Sequence, residues 1–234
     1  MVTAGRAVGD IAREVVAVTG RPGQHSATSP RSLRPGIGVR PPVPRRFSGL
    51  PYPFELRRRV ALMSIDDVAL RPVAEDDLTV LEGFLVDPET AAPFQWFGWW
   101  DTGRWRRQWA EDGLLGGDGG HLMVVRGAQR LGFVAWRKVR PTRTTSYWSM
   151  GIGLLVEARG QGVGTEAQRQ LVRYLFAHTT AVRIEADTEA ENSAEQRALE
   201  KAGFTREGVM RSVVFRDGQW RDGVRYGILR GDLA

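Results

Sequence analysis

The pattern of hydrophobic and polar residues changes period several times after residue 68. The short apolar run VALRPV at 68–73 predicts a strand. The segment EDDLTVLEGFL at 75–85 predicts a helix, because its leucines recur three and four residues apart after an acidic first turn. TGRWRRQWAEDGLL at 102–115 predicts a second, less regular helix. The ordered part of the chain therefore begins as a strand followed by two helices.

Three predicted strands and a long helix come next. The strands are HLMVVR at 121–126, LGFVAWRKV at 131–139 and YWSMGIGLL at 147–155, and a turn joins the first two. Apolar residues then repeat every four positions, which predicts an amphipathic helix over 165–178. We expect the apolar face of this helix to pack on a sheet.

The remainder of the chain alternates again between the two periods. VRIEAD at 182–187 has the alternation of a half-buried strand. Ser193 and Gln196 have the spacing of a capping box and Gly203 is a stop signal, which predicts a helix over 194–202. GVMRSVVF and WRDGVRYGIL flank an Asp217–Gly218 turn and predict a closing hairpin. These elements predict one α/β domain, with a mixed and mostly antiparallel twisted sheet of about six to seven strands and about four helices.

Composition limits the chemistry. The chain has no cysteine among 234 residues, which excludes disulfides, thiolate metal sites and a cysteine nucleophile. Its three histidines are scattered, so we predict no metal site. No apolar run approaches the roughly 20 residues that span a bilayer, and the N-terminus lacks the apolar core of a secretion signal. A cytoplasmic protein without a membrane partner is the expectation.

The positive charge is concentrated at the start of the chain. Residues 1–62 hold eleven arginines, three acidic residues and eight of the twelve prolines, which predicts a disordered basic extension before a folded domain at 63–234. A solvated tail, a basic arm for an acidic partner and upstream sequence that the working protein lacks are alternative interpretations. The net charge of +6 becomes −2 without this extension, so we do not expect the folded part to bind nucleic acid.

The stretch EARGQGVGTEAQRQ at 157–170 places three glycines at alternate positions directly before a helix. Such a turn directs successive backbone N–H groups toward one point, where the helix dipole adds positive potential, and this predicts a phosphate site. The stretch lacks the Gly-Lys-Ser/Thr of a Walker loop. Thr165 stands where the dinucleotide fingerprint requires Gly or Ala. A tight turn without a ligand is the structural alternative.

Two motifs resemble one known family, the GNAT superfamily of N-acetyltransferases. Arg-Gly-Gln-Gly-Val-Gly at 159–164 fits the acetyl-CoA signature Gln/Arg-x-x-Gly-x-Gly/Ala at every defined position. ENSAEQRALEKAGF at 191–204 looks like the asparagine-containing helix ending in Glu-Lys-x-Gly-Phe of the branch that includes ribosomal-protein-alanine acetyltransferases. The resemblance covers about residues 68–233. It implies a single GNAT-type domain and an enzyme that uses acetyl-CoA as cosubstrate.

The resemblance also implies which residues bind CoA. The pyrophosphate would lie on the glycine-rich loop, formed by Arg159, Gly160, Gln161, Gly162, Val163, Gly164 and Thr165. The pantetheine arm would pair with the backbone of Leu154, Leu155 and Val156. Asn192 matches the family asparagine that contacts this arm, and its alternative role is to cap the next helix. Gly151 and Gly153 share one strand face, which indicates a bulge or a close approach.

Catalytic residues do not carry over from the family. A primary amine that attacks the thioester directly must lose a proton, and the departing thiolate must gain one. Many relatives have a carboxylate where this chain has Ser149 and Met150, and relatives in the ribosomal-protein branch have a serine donor where it has Glu195. We predict from position that Asp187 and Glu195 are the candidates for proton transfer and that Ser149 hydrogen-bonds near the thioester. Catalysis by positioning, with water as the base, is the alternative.

The segment between the first two strands roofs the acceptor site in relatives. Here it reads FQWFGWWDTGRWRRQWAED, which interleaves aromatic residues and arginines. The loop aromatics that we predict to contact the acceptor are Phe94, Trp96, Phe97, Trp99 and Trp100. Trp105 and Trp109 are four residues apart, which favours a core-facing pair. The expected acceptor carries a bulky apolar or planar part beside its amine.

Three functions follow from these observations. The first is transfer of an acetyl group from acetyl-CoA to a primary amine of a small molecule. The second is acetylation of a protein or peptide N-terminus. The third is a CoA-binding module without catalysis, which the missing strand carboxylate suggests. The sequence leaves open whether the chain forms a homodimer.

Overall fold

The computed structural model describes residues 68–233, so the predicted extension at 1–62 lies outside the described residues. The strands of this part are β1 (Val68–Pro72), β2 (Leu115–Gly116), β3 (Gly119–Arg126), β4 (Gln129–Val139), β5 (Tyr147–Leu154), β6 (Arg183–Glu189), β7 (Thr205–Arg216) and β8 (Gln219–Leu229). The helices are α1 (Leu78–Val86), α2 (Pro88–Ala91), α3 (Gly103–Asp112), α4 (Val163–His178) and α5 (Ser193–Ala202).

The strands form one mixed sheet in the order β1-β3-β4-β5-β6-β8-β7, and β2 pairs with β3. Strands β5 and β6 are parallel, and the other neighbours are antiparallel. The predicted fold class is confirmed. The sequence patterns missed β2 and α2, because elements of two and four residues are too short to show a period.

Hydrophobic side chains cover both faces of the sheet. On one face, Leu171 and Leu175 of α4 and Leu199 of α5 pack with the strand residues Met150 and Ile184. On the other face, the apolar residues of α1 and α3 pack with β3 and β4, and they include Leu81, Phe84, Trp105, Met123 and Phe133. The central strands are therefore buried on both sides, as expected for a sheet between two helical layers.

The start of α5 differs from the prediction. The helix begins at Ser193, and the residue before it, Asn192, caps it by accepting a hydrogen bond from the backbone N–H of Glu195 at 3.2 Å. The predicted cap was Ser193. Asn192 takes the position because an amide oxygen serves as well as a hydroxyl oxygen in capping a helix. Asn192 is therefore the cap of the helix, and Glu195 lies in its first turn.

A buried carboxylate joins β1 to β4. The Asp77 side chain is fully buried and accepts hydrogen bonds from Arg71 Nη2 at 2.9 Å and from Arg130 Nε at 2.6 Å. It also accepts one from the backbone N–H of Ala74 at 2.8 Å. Hydrogen bonding to Arg71 is the main cause that holds the pKa of Asp77 far below its usual range. Through Asp77, the ion pairs with Arg71 and Arg130 connect β1 to the start of β4.

Candidate active site

The two parallel strands at the centre of the sheet diverge. Strands β5 and β6 pair only at Trp148–Ile184, Ser149–Glu185 and Met150–Ala186. Beyond these positions the two strands no longer pair with each other: β5 continues to Leu154 beside β4, and β6 continues to Glu189 beside β8. The divergence opens a gap in the middle of an otherwise continuous sheet.

A pocket of about 110 Å³ lies at this gap, several times the space that one water molecule needs. Strand residues at the divergence line it, together with residues of α1, α3, α5 and the loop that follows α2. Its lining consists of Phe84, Leu85, Phe94, Gln95, Phe97, Trp105, Phe133, Met150, Gly151, Ile152, Ala186, Asp187, Thr188, Glu189, Asn192, Glu195 and Leu199. The walls are largely aromatic and aliphatic, with three carboxyl groups among them.

The glycine-rich loop forms the start of α4. Gly160 and Gly162 have φ angles of 72° and 80°, a left-handed conformation that favours glycine. A Cβ atom at either position would meet no atom of the chain within 4 Å, so neither glycine is required by packing. The two glycines are therefore explained by the left-handed backbone of the loop. Gly162 is the N-cap residue of α4, and no side chain caps this helix.

The backbone N–H groups of this loop are available to an anion. Among the described residues, none of the N–H groups from Gln161 to Thr165 has a hydrogen-bond acceptor. They lie at the first turn of a helix of 16 residues, where the helix dipole favours negative charge. Arg126, at the end of β3, reaches the Gln161 side chain at 3.4 Å and adds positive charge nearby. This arrangement fits the diphosphate of CoA.

The side chain of Arg159 stabilises the loop from inside. It donates hydrogen bonds to the backbone carbonyl oxygens of Leu154 at 3.0 Å, Ala92 at 2.6 Å and Thr90 at 2.7 Å. Desolvation lowers the pKa of Arg159 from its usual value. The Arg159 side chain therefore connects the glycine-rich loop to the segment around Thr90 and Ala92. Only the backbone of Arg159 remains available to a cofactor.

The residues predicted to pair with the pantetheine arm have different environments. Leu154 ends β5, and its carbonyl oxygen is held by Arg159. The N–H of Leu155 donates to the carbonyl oxygen of Leu131 at 2.9 Å, and Val156 begins a short 3-10 helix. Further back, the carbonyl oxygen of Ile152 lies at the pocket and accepts a hydrogen bond from the Gln95 side chain. Of the three residues, only Leu154 belongs to the strand, because the chain bends into the 3-10 turn directly after it.

Gly153 is required by a ring of the protein itself. A Cβ atom there would lie 2.5 Å from the ring of Phe133, which is far inside contact distance. The close approach that the glycine pair indicated is therefore, at Gly153, the approach of Phe133. Since Phe133 lines the pocket, the glycine shapes the pocket wall.

Glu195 is the carboxyl group of the pocket without a cationic partner among the described residues. Its Oε1 accepts a hydrogen bond from Gln168 Nε2 of α4 at 2.6 Å. Burial raises the pKa of Glu195 to about 8, against a usual value of 4.5, and the hydrogen bond from Gln168 opposes part of that rise. Near neutral pH the group is mostly protonated. It can therefore donate a proton, and it can accept one just above neutral pH.

Asp187 also lines the pocket, but its carboxylate is occupied. Arg225 of β8 donates to both of its oxygens, at 2.9 Å from Nε and 2.8 Å from Nη2. The Asp187 side chain is only 2% exposed. The hydrogen bond with Asp187 raises the pKa of Arg225. Both oxygens of Asp187 are therefore engaged by a cation of the same chain in two charged hydrogen bonds.

Ser149 and Tyr226 lie outside the pocket lining. Ser149 Oγ is buried and has no hydrogen-bond partner among the described residues, and its neighbours across the sheet are Arg137 and Glu185. The Tyr226 hydroxyl donates to Glu200 at 3.0 Å, and burial raises its pKa to about 12. The structure thus brings Asp187, Asn192 and Glu195 together at the pocket. Ser149 precedes Met150, the first residue of β5 in the pocket lining.

The loop aromatics divide into two groups. Phe94 and Phe97 line the pocket. Trp100 packs against the hydrophobic cluster on the α1 and α3 side. Trp96 and Trp99 contact each other edge to face with ring centroids 5.9 Å apart, and Trp99 is 79% exposed. Of the five predicted aromatic residues, the structure therefore places the two phenylalanines at the pocket and the three tryptophans outside its lining.

Several pocket residues have no signal in the sequence patterns. Glu189 lines the pocket and is held by Arg216, whose Nε and Nη2 lie 2.8 Å from its two oxygens. The Arg216 guanidinium also lies over the ring of Phe94, 5.5 Å from its centroid. Alternation along β6 predicted Asp187 on a half-exposed polar face, yet it and Glu189 are buried. Arginines from the closing hairpin cover that face, and a pairing across 27 or 38 residues leaves no local pattern.

Between residues 68 and 233, no helix is long and apolar enough to cross a membrane. In that range no group of three or more His, Asp and Glu residues is arranged to hold a metal ion.

The fold and the site together define a class of protein. A helix start that offers free backbone N–H groups lies beside a gap between diverging strands, and the gap leads into a mostly apolar pocket. Such an arrangement is suited to an α/β domain that holds an anionic cofactor next to an organic substrate.

The family is shown by comparison with known proteins. Residues 67–205 match the family described as acetyltransferase (GNAT) domain, and the chain belongs to that family. The chain is 33% identical over 123 residues to the probable N-acetyltransferase YjcK of Bacillus subtilis strain 168. This match covers 53% of the chain and 59% of YjcK. The predicted family and enzyme class, an acetyltransferase, are confirmed.

Solved structures share the fold. The spermidine N-acetyltransferase of Vibrio cholerae in complex with CoA and spermine aligns with a TM-score of 0.60 and 16% identity, over 71% of this chain and 98% of that chain. RimJ of Mycobacterium smegmatis in complex with CoA-disulfide aligns with a TM-score of 0.60 and 21% identity, over 72% of this chain and 85% of that chain. At these identities the likeness extends to the fold alone.

Proposed function

We propose that this protein transfers the acetyl group of acetyl-CoA to a single primary amine carried by a small, largely apolar molecule. The observation that carries the proposal is the pocket at the β5–β6 divergence, which has aromatic walls and one carboxyl group able to exchange protons near neutral pH. The free N–H groups at the start of α4 supply the binding site for the CoA diphosphate.

The residues of the chain divide the work. The loop from Gln161 to Thr165 binds the anionic part of CoA through its backbone. Phe94 and Phe97 hold the apolar part of the acceptor and exclude water from the pocket. Acetyl-CoA supplies an activated acyl group in the form of a thioester. Asn192 caps α5 and thereby fixes Glu195 at the pocket.

Glu195 exchanges the protons. The amine nitrogen attacks the carbonyl carbon, the new C–N bond forms, and the C–S bond breaks. In its neutral form Glu195 donates its proton to the departing sulfur and then recovers one from the acylated nitrogen, so one proton moves from nitrogen to sulfur overall. A pKa of about 8 suits this exchange, because it lies close to physiological pH and Glu195 can then both give up and take up a proton at little cost in free energy. Asp187 keeps Arg225 in place and does not act as the base.

The experiment that tests the function follows release of the CoA thiol from acetyl-CoA with a panel of amines. The panel contains alkylamines, arylalkylamines, amino sugars, polyamines and short peptides, and mass spectrometry identifies each acetylated product. We expect apolar monoamines to react fastest. A protein that binds CoA but releases no thiol with any member of the panel would be a binding module and not an enzyme.

The role of Glu195 has a separate test in the pH profile. We expect kcat of the wild type to fall as pH rises through about 8, where the donor form of Glu195 is lost. Glu195→Gln should lower kcat about a hundredfold and remove this alkaline limb, since positioned acids and bases contribute about 10²–10⁴-fold. Glu191→Gln, at an exposed carboxyl group paired with Arg221, is the matched control and should leave the profile unchanged. An unchanged kcat in Glu195→Gln would exclude Glu195 and favour water as the base.

The peptide alternative uses the same pocket. RimJ of Mycobacterium smegmatis shares the fold at 21% identity, and the motif at residues 191–204 resembles the ribosomal-protein branch. An N-terminal residue would have to enter a pocket of about 110 Å³ alone, with the rest of the peptide outside. Peptides in the panel address this alternative directly, because a preference for them over alkylamines would favour it.

A further inference from the structure

Two of the three carboxyl groups in the pocket are neutralised by arginines of the same chain. Arg225 holds both oxygens of Asp187 at 2.9 and 2.8 Å, and Arg216 holds both oxygens of Glu189 at 2.8 Å. The carboxylates are 2% and 3% exposed, and the Arg216 side chain is 9% exposed. Pairs with this geometry are strong, because two charged hydrogen bonds form in parallel away from water.

Both arginines come from the closing hairpin and not from the pocket lining. Arg216 ends β7 and Arg225 lies in β8, so the β7–β8 hairpin carries the cations while β6 carries the anions. Arg216 also lies 5.5 Å from the ring centroid of Phe94, which lines the pocket. The hairpin thereby fixes the charge of the pocket and one of its aromatic walls at the same time.

The remaining carboxyl group, Glu195, is mostly neutral near pH 7. The pocket therefore presents no uncompensated negative charge to an acceptor, although three acidic residues line it. An ammonium group that enters such a pocket loses its hydration without gaining an anionic partner, which costs several kcal/mol. A single amine avoids this cost by entering as the neutral, reactive base. A second ammonium group on the same molecule must either enter charged or lose its proton as well, and each deprotonation adds about 1.4 kcal/mol for every unit by which its pKa exceeds the pH.

We propose that Arg216 and Arg225 set the acceptor specificity: by neutralising Glu189 and Asp187, they make the pocket select monoamines with an apolar tail and reject diamines and polyamines. This inference rests on the proposed acetyltransferase function and adds the charge class of the acceptor. It distinguishes this protein from the Vibrio cholerae enzyme of the same fold, which was solved with spermine. Release of either carboxylate from its arginine is expected to create a site for a second ammonium group.

The test compares matched pairs of acceptors. Butylamine, hexylamine and octylamine are each compared with the diamine of the same length, and the ratio of kcat/KM for diamine over monoamine is measured. In the wild type we expect a ratio below one for every length. Arg216→Met frees Glu189 and should raise the ratio about tenfold for at least one length, equivalent to about 1.4 kcal/mol. Loss of the contact with Phe94 affects both acceptors alike and cancels in the ratio.

Three further variants test whether the charge in the pocket, and not another effect of Arg216→Met, changes the ratio. Glu189→Gln combined with Arg216→Met removes both charges, and the ratio should return to the wild-type value. Phe97→Glu adds a carboxylate to the pocket wall while both ion pairs stay intact, and it should raise the ratio even if Arg216→Met does not fold. Arg221→Met removes a hairpin arginine that pairs with exposed Glu191 outside the pocket, and it should leave the ratio unchanged.

The outcomes separate the two claims. A wild type that acetylates diamines as well as monoamines overturns the inference and leaves the acetyltransferase intact. The inference is also overturned, and the acetyltransferase function left intact, if Arg216→Met and Phe97→Glu both fold and keep the wild-type ratio of kcat/KM for diamine over monoamine. If no acceptor is acetylated at all while CoA binds, the proposed function fails, and the inference fails with it.

Discussion

Glu195→Gln should stabilise the protein, and the gain should grow with pH. The pKa of Glu195 is raised by burial to about 8 from a usual 4.5, so ionisation costs more in the folded than in the unfolded chain. A group of this kind leaves stability intact below pH 4.5 and lowers it as pH rises toward 8. Each pKa unit corresponds to about 1.4 kcal/mol, which gives an upper bound of about 5 kcal/mol. Because the pocket admits water, screening reduces this to about 2–3 kcal/mol.

Urea denaturation of both proteins at pH 5, 7 and 9 measures this effect. We expect the free energies of unfolding to be nearly equal at pH 5 and to favour Glu195→Gln by about 2–3 kcal/mol at pH 9. Glu191→Gln, which alters an exposed carboxyl group on the same helix start, provides the control and should show no such trend. A difference between wild type and Glu195→Gln that stays constant from pH 5 to 9 would refute the assignment of a raised pKa.

Three more predictions concern the loop, the pocket wall and the domain start. Gly162→Ala should lower the free energy of unfolding by about 1–2 kcal/mol, because position 162 has a left-handed backbone. Calorimetry should also show that it binds CoA more weakly. The control is Gly218→Ala in the hairpin turn, where φ is 74°; it should lose the same stability and leave CoA binding unchanged. Gly153→Ala should lower stability by about 1–3 kcal/mol in thermal unfolding, and Phe133→Leu should restore part of it by making room. Asp77→Asn should lower the free energy of unfolding by about 2 kcal/mol at pH 7. That loss should shrink as acid protonates the wild-type carboxylate, whose pKa Arg71 holds low.

The fold was largely predictable because its main elements have local causes. The leucine spacing of α1 and α4, the Asp217–Gly218 turn and the glycines before α4 each determine a local structure within a few residues. The loop conformation at Gly160 and Gly162 likewise needs only the left-handed backbone that glycine allows. Such features are visible in the printed sequence without knowledge of the partner strands.

The charge state of the pocket was not predictable because its causes are distant in sequence. Asp187 and Glu189 are buried because Arg225 and Arg216 approach from a hairpin 38 and 27 residues further along. The pKa of Glu195 is raised by burial, and the hydrogen bond that opposes part of the rise comes from Gln168 of α4, 27 residues earlier in the chain. Gly153 was predicted to mark a bulge or a close approach, but the sequence does not reveal that the approaching group is Phe133 of the adjacent strand. Strand alternation alone indicates which residues share a face and not which residues cover that face.

The central claim is that amine and thioester meet in the pocket between β5 and β6. A bisubstrate conjugate, in which the sulfur of CoA is joined through an acetyl linker to the nitrogen of hexylamine, tests it most directly. Calorimetry compares its affinity with that of CoA alone. If both substrates bind together for direct attack, the conjugate should bind at least about a hundredfold more tightly than CoA, and Phe97→Glu should reduce that advantage. An affinity equal to that of CoA would contradict the account, because the pocket would then contribute nothing to binding of the acceptor.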